Sequence, residues 1–102
     1  MIVVKVTYTT RPDFAAENRS NINIFLEDVR KLGNSGIRYT VLLGDDEKTH
    51  THLSMYDNEE SQKDLLKLDS FKSFQKRRDE SVLEVQPKVE VMKFIDSSYE
   101  IF

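Results

Sequence analysis

Residues 37–56 read IRYTVLLGDDEKTHTHLSMY. Two runs rich in β-branched and aromatic residues, Ile37 to Leu43 and Thr49 to Tyr56, flank Gly44-Asp45-Asp46-Glu47-Lys48, a short polar loop led by glycine. That is the pattern of an antiparallel hairpin. With the loop placed at Gly44 to Lys48, Leu42 faces His50, Thr40 faces His52 and Arg38 faces Ser54. Tyr39, Val41, Leu43, Thr51, Leu53 and Met55 then make a mostly apolar face suited to burial. Arg38, Thr40, Leu42, His50, His52, Ser54 and Tyr56 make the other.

Before the hairpin, Ile2 to Thr9 alternates Val4, Val6 and Tyr8 against Val3, Lys5 and Thr7, which predicts a strand. Pro12 suits the first turn of a helix beginning at Arg11 to Asp13. Phe14, Asn18, Ile22, Phe25, Val29 and Leu32 follow at spacings of three and four, one buried stripe, and Gly33-Asn34-Ser35-Gly36 ends it. After the hairpin, Asp57-Asn58 caps a second helix with Glu59 and Glu60 in its first turn. Leu65, Leu68, Phe71 and Phe74 supply its buried stripe, and it fades near Asp79 to Val82. A last strand runs from Lys88 to Ile95. The order βαββαβ is the ferredoxin-like pattern: a four-stranded antiparallel sheet, order 4-1-3-2, with two helices on one face.

The chain has 102 residues, which suits a single α+β domain over 1–95, with 96–102 as a tail. At 38% hydrophobic and 32% charged the core is lean, and the ten aromatics carry much of it. Net charge is −3 with no basic face, so neither nucleic acid nor a membrane surface is expected as a partner. No cysteine is present, which excludes disulfides and thiol chemistry. The run Ile2-Val3-Val4 is too short for a signal peptide or membrane span, so a cytoplasmic location is expected.

Helices on one face leave the other uncovered. Val3, Leu42, Met92 and Phe94 point to it beside Lys5 and Thr7, so a partner is expected there, most simply a second copy of the chain. The tail, with Tyr99 and Phe102, is the candidate for reaching across to that copy.

The topology, the chain length and the junction His52-Leu53-Ser54-Met55-Tyr56-Asp57-Asn58-Glu59-Glu60-Ser61 resemble the dimeric α/β barrel proteins, in particular the antibiotic-biosynthesis-monooxygenase-like branch. The resemblance implies two sheets packed face to face, each enclosing a pocket beneath its helices. It also implies a choice of activities, among them oxidation of polyphenolic compounds by oxygen without metal or flavin, so no cofactor is expected. Haem-degrading members use a Trp on the third strand and a His on the second helix, and this chain has neither.

His50 and His52, the only histidines, emerge on one face of a strand. They can act as acid and base near neutral pH or pack as satisfied polar groups, and no third ligand accompanies them, so no metal is expected. Asn18, within an apolar stripe, must find partners, either a substrate carbonyl or the strand beneath. In an enzyme, His50 or His52 is the general base, Asn18 orients a carbonyl, and Arg38 and Tyr56 hold polar substituents. Phe14, Phe25 and Phe94 then wall a flat aromatic ligand. The alternative is a non-catalytic dimer that binds a small ligand or serves a stress-related or structural role. The run Lys76-Arg77-Arg78-Asp79-Glu80 reads as a solvated helix end.

Overall fold

A computed structural model describes residues 1–102. Its elements are β1 (Ile2–Thr9), α1 (Ala15–Leu32), β2 (Ile37–Leu43), β3 (Thr49–Tyr56), α2 (Glu59–Leu66), α3 (Asp69–Glu80) and β4 (Val85–Met92). The strands form one antiparallel sheet in the order β2-β3-β1-β4, the ferredoxin-like arrangement. The core beneath the helices joins Tyr8, Ile22, Phe25, Ile37, Tyr56, Leu65, Phe71, Phe74 and Leu83.

Three local expectations are corrected. Turn bonds from Phe14 N–H to the Arg11 carbonyl and from Ala15 N–H to the Pro12 carbonyl precede α1, so the regular helix starts later than Pro12 suggests. Its C-terminus is as read: Gly33 stands at φ 63 and its N–H bonds the Arg30 carbonyl. The last strand begins at Val85 and ends at Met92, so Phe94 and Ile95 lie beyond it.

The third correction is that the expected second helix is two. Leu65, Leu68, Phe71 and Phe74 are each three residues apart, and a straight helix turning about 100° per residue would put Leu65 and Phe74 on opposite sides. The chain resets the phase at Leu68, which is extended at φ −62, ψ 126, and both ends of the stripe reach the core. Asn58 caps α2, its side chain accepting from the Ser61 N–H.

The hairpin register is also corrected, and this decides where the histidines point. Leu43 pairs with His50 and Val41 with His52, one residue away from the expected pairing. The turn closes between Gly44 and Thr49: Gly44 N–H bonds the Thr49 carbonyl, Glu47 adopts φ 61, and Asp46 accepts from the N–H groups of Lys48 and Thr49 and from the Thr49 hydroxyl. These bonds hold the exposed Asp46 carboxyl down to about 2, the Thr49 hydroxyl contributing most. A slip of one residue moves every β3 side chain to the other face. His50, His52, Ser54 and Tyr56 therefore lie under the helices, with Tyr39, Val41 and Leu43, whereas Thr51, Leu53 and Met55 share the uncovered face with Arg38, Thr40, Leu42, Lys5 and Thr7.

The tail folds back over this chain's own uncovered face. Ile101 is buried, and Tyr99, Glu100 and Ile101 line a cleft of about 150 Å³ with Arg38, Thr40, Leu53 and Met55. The Arg38 guanidinium carbon stands 5.6 Å from the Phe102 ring centre. Leu42, Met92, Phe94 and Tyr99 remain exposed.

Candidate functional site

The corrected register makes a site that sheet and helix build together. Tyr8 on β1 lies opposite His50 on β3, and Val6 lies opposite His52, so Tyr8 and both imidazoles share the helix side of the sheet. One buried face of α1 carries Ala15, Asn18, Asn21, Ile22 and Phe25. Tyr8 and Asn18 are fully buried, His50 is 1% exposed and His52 2%.

Four of these groups form one hydrogen-bonded chain. Asn18 Nδ2 donates to Tyr8 Oη at 2.8 Å, Tyr8 Oη lies 2.8 Å from His52 Nε2, and His52 Nδ1 lies 2.8 Å from Tyr39 Oη. Burial pushes the Tyr8 hydroxyl up to about 12, against the Asn18 bond and the charge of Arg78, so it keeps its proton. Burial, then His50 and Arg78, push His52 down to about 3, so its ring is neutral. The fully buried Tyr8 hydroxyl has no acceptor other than His52 Nε2, so its hydrogen goes there, and His52 donates from Nδ1 to the less buried Tyr39. Burial also raises Tyr39, with Tyr56 and Tyr8 adding to the effect.

His50 differs because one nitrogen is free. Its Nδ1 lies 3.0 Å from the Lys48 carbonyl oxygen, which can only accept, so Nδ1 carries the hydrogen and Nε2 the lone pair. Burial lowers its pKa, and Nε2 is buried without a partner, as are Asn18 Oδ1 and Asn21 Nδ2. The His50 ring stacks on Tyr8, centroids 5.2 Å apart and planes 11° from parallel. A cleft of about 410 Å³ at the start of α1 and the hairpin loop is lined by residues that include Ala15, Arg19, Asp46 and Lys48, and His50 is not among them. The charges of Arg19 and Asp46 both reach His50.

Aromatic rings enclose the chain. His52 stacks against Phe74 at 5.4 Å and Phe25 at 6.3 Å, and Phe25 meets Tyr39 and Phe71 edge-on at 5.3 and 5.2 Å.

Of the residues singled out from sequence, the structure gathers His50, His52, Asn18 and Phe25. Tyr56 is buried on the same face, four residues along β3 from His52. Phe14 is half-buried in a groove with Arg11, Glu17 and Arg77. Arg38 is on the opposite face, where its guanidinium bonds the carbonyls of Ser35 and Ile37. Phe94 lies beyond β4, bordering a cleft with Met1 and the tail. Neither joins the histidines. No group of three His, Asp or Glu side chains gathers in a metal-holding arrangement.

Three residues of the site read otherwise from sequence, Tyr8 and Tyr39 as strand aromatics first and candidate acids second, and Arg78 as part of a solvated helix end. Tyr8 sat in the alternation Val4, Val6, Tyr8, which marks the buried face of β1, and Tyr39 lies on the same face of β2, level with Val4. Arg78 was hidden in a charge run, although it continues the spacing of Phe71 and Phe74 at four residues. Its guanidinium carbon lies 5.2 Å from the Tyr8 ring centre and 5.5 Å from that of Phe74.

No protein-family model and no curated protein matches the chain. Solved structures do share its fold. Rv0793 from Mycobacterium tuberculosis superposes with a TM-score of 0.78 at 16% identity, over 96% of this chain and 98% of that one. A Nitrosomonas europaea protein provisionally named an antibiotic biosynthesis monooxygenase gives 0.80 at 12%, over 94% and 100%. One from Caulobacter crescentus with the same provisional name gives 0.77 at 21%, over 93% and 90%. The chain therefore has the ferredoxin-like fold of antibiotic-biosynthesis-monooxygenase-like structures, and at these identities the likeness speaks for the fold alone.

Proposed function

We propose that this protein is a small-molecule enzyme of the cofactor-independent monooxygenase type, acting on an acidic, phenolic aromatic compound, with His50 as the general base. The observation that carries the reading is the unpartnered Nε2 of His50. A buried lone pair without a donor is costly, and a substrate O–H or C–H positioned against it would offset that cost. His52 is the weaker candidate, because its Nε2 is occupied by Tyr8 and its ring resists protonation down to about pH 3. It orients Tyr8 instead, and through Tyr8 the Asn18 amide. The chemistry asked of the residues is simple: His50 takes a proton from an activated ring CH₂, and oxygen converts that carbon to a carbonyl with release of water. The fold shared with proteins named for such an activity supports the class.

The test is oxygen uptake with a panel of polycyclic phenols. His50→Gln should lower turnover by ~10²–10⁴-fold, the usual contribution of a general base, and His52→Gln should do less. Turnover unchanged in His50→Gln overturns the assignment.

The near-complete burial of both histidines favours a second reading, a non-catalytic domain that binds a small ligand. Compounds that raise the melting temperature without consuming oxygen would select it. In either case the working form is a cytoplasmic homodimer closed over the uncovered sheet face. Exposed Leu42, Met92 and Phe94 support that assembly, and no helix is long and apolar enough to cross a membrane.

A further inference from the structure

β4 ends the sheet, with β1 on its inner side and no strand on its outer side. The direction of its backbone groups follows from its neighbour. Thr10 N–H bonds the Lys48 carbonyl in continuation of the β1–β3 register, so the even-numbered residues of β1 turn their backbone groups to β3. Val3, Lys5, Thr7 and Thr9 turn theirs to β4, as the bond from Glu84 N–H to the Thr9 carbonyl shows. Lys88, Glu90 and Met92 answer Thr7, Lys5 and Val3, so the N–H and C=O groups of Val89 and Val91 point away from the sheet. The Pro87 carbonyl stands in the same outward row, and the N–H that proline lacks is one that β1 does not need.

The side chains of this strand are as unpartnered as its outer backbone. Val89 and Val91 lie on the helix side opposite Val6 and Val4 of β1, yet they are 64% and 81% exposed. Lys88 and Glu90 lie on the other face. Neither belongs to an ion pair, although Lys5 stands opposite Glu90. An open edge carrying β-branched side chains is a template for another strand.

We propose that β4 is a second interface between copies of this chain, at which two β4 strands pair antiparallel about a two-fold axis through Val89. Both outward rows consist of odd-numbered residues, so odd residues oppose odd ones and the helices of both copies fall on one side of a continuous sheet. Charge selects the register. An axis at Lys88 sets two lysines against each other and an axis at Glu90 two glutamates, whereas an axis at Val89 sets Lys88 against Glu90 of the second copy on both sides of the axis. In that register the two Val89 backbones bond each other, and each Val91 N–H meets the Pro87 carbonyl opposite. None of these bonds requires the missing proline N–H. With so few hydrogen bonds and with ion pairs open to water, the pairing is transient at micromolar concentration and distinct from closure over the uncovered face.

The chain has no cysteine, so one introduced thiol reads this register alone. The test is run in the Leu42→Asp background, which removes contact over the uncovered face. Val89→Cys places two thiols on the axis with α-carbons about 5.5 Å apart, within disulfide reach, whereas Val91→Cys holds them about 14 Å apart. Under mild oxidation at high protein concentration, Val89→Cys should link about tenfold faster than Val91→Cys, the gain of a held geometry over chance encounter. Adding Lys88→Glu or Glu90→Lys to Val89→Cys should slow linkage to the Val91→Cys rate. Mixing those two variants restores both charge pairs and should restore the rate, which also shows that both are folded. Equal rates for Val89→Cys and Val91→Cys would overturn the pairing, and rates indifferent to the charge changes would overturn the register that defines it.

Discussion

The hydroxyl of Tyr8 lies 2.8 Å from Nε2 of His52 and at the same distance from Nδ2 of Asn18, so one oxygen joins β1, β3 and α1. None of the three side chains is more than 2% exposed, and water cannot replace a lost partner without opening the core. Tyr8→Phe removes a single atom but strands both the Asn18 donor and the His52 acceptor. At about 1–3 kcal/mol for each buried group left unpaired, a loss of ~2–4 kcal/mol is expected in urea unfolding. A loss under ~0.5 kcal/mol would mean that the chain of hydrogen bonds contributes little to the fold.

Acid should weaken the protein well before its carboxylates titrate. His52 moves from an ordinary value near 6.5 to about 3 on folding, and His50 moves in the same direction. Between those limits the unfolded chain holds a proton on His52 that the folded chain lacks, so stability is lost as pH falls through 6.5 and the loss is complete near 3. The slope is about 1.4 kcal/mol per pH unit per proton. The urea midpoint should therefore drop between about pH 7.5 and pH 5.5, and His52→Gln should flatten that drop. A midpoint indifferent to pH over this range would contradict the burial of neutral imidazoles.

The strand and helix order was legible in residues 2–95 because each element carries local punctuation: Gly33 at a left-handed helix end, Asn58 as a cap, and Gly44 opening the hairpin. The facing of β3 was not legible, for a physical reason. Its alternate residues are His50, His52 and Ser54 against Thr51, Leu53 and Met55, and hydrophobicity puts the second set inside. The opposite holds because Tyr8, Tyr39 and the Val4 carbonyl satisfy His52 and Ser54, making a polar interior that binary patterning misreads. His50, His52 and Asn18 were still found, since imidazoles are few and an amide stood within an apolar stripe. Arg78 was missed because its neighbours Lys76, Arg77, Asp79 and Glu80 made a charge run that masked the spacing from Phe74.

Val82, between α3 and β4, is a β-branched residue at φ 60 with its side chain 67% exposed. A left-handed backbone costs such a residue about 1–2 kcal/mol, and there is little packing here to lose. Val82→Gly frees the strain but also loosens the unfolded chain, which returns about 0.4–1 kcal/mol of the gain. Asn tolerates the same conformation and avoids most of that entropy cost. Both variants should raise the melting temperature, Val82→Asn more, by roughly 2–6 °C for a domain of this size. A lower melting temperature in both would show that the turn is held by something other than its backbone angle.

The uncovered sheet face offers the sharpest test of assembly. Leu42 is 56% exposed there, and the tail, once seated through Ile101, turns Tyr99 and Phe102 outward, 71% and 40% exposed. The tail thus enlarges the apolar surface available to a second copy. Leu42→Asp places a charge on that surface without touching the core, and it should convert the protein in sedimentation equilibrium to a monomer of 12.0 kDa. Ending the chain after Ser98 removes Tyr99 and Phe102 together with their anchor, and should raise the dimer dissociation constant about tenfold or more, the loss of ~1.4 kcal/mol of apolar contact. If truncation tightens the dimer instead, the tail is a cover that competes with the second copy. A wild-type protein that sediments as a monomer at micromolar concentration would remove the face-to-face dimer itself.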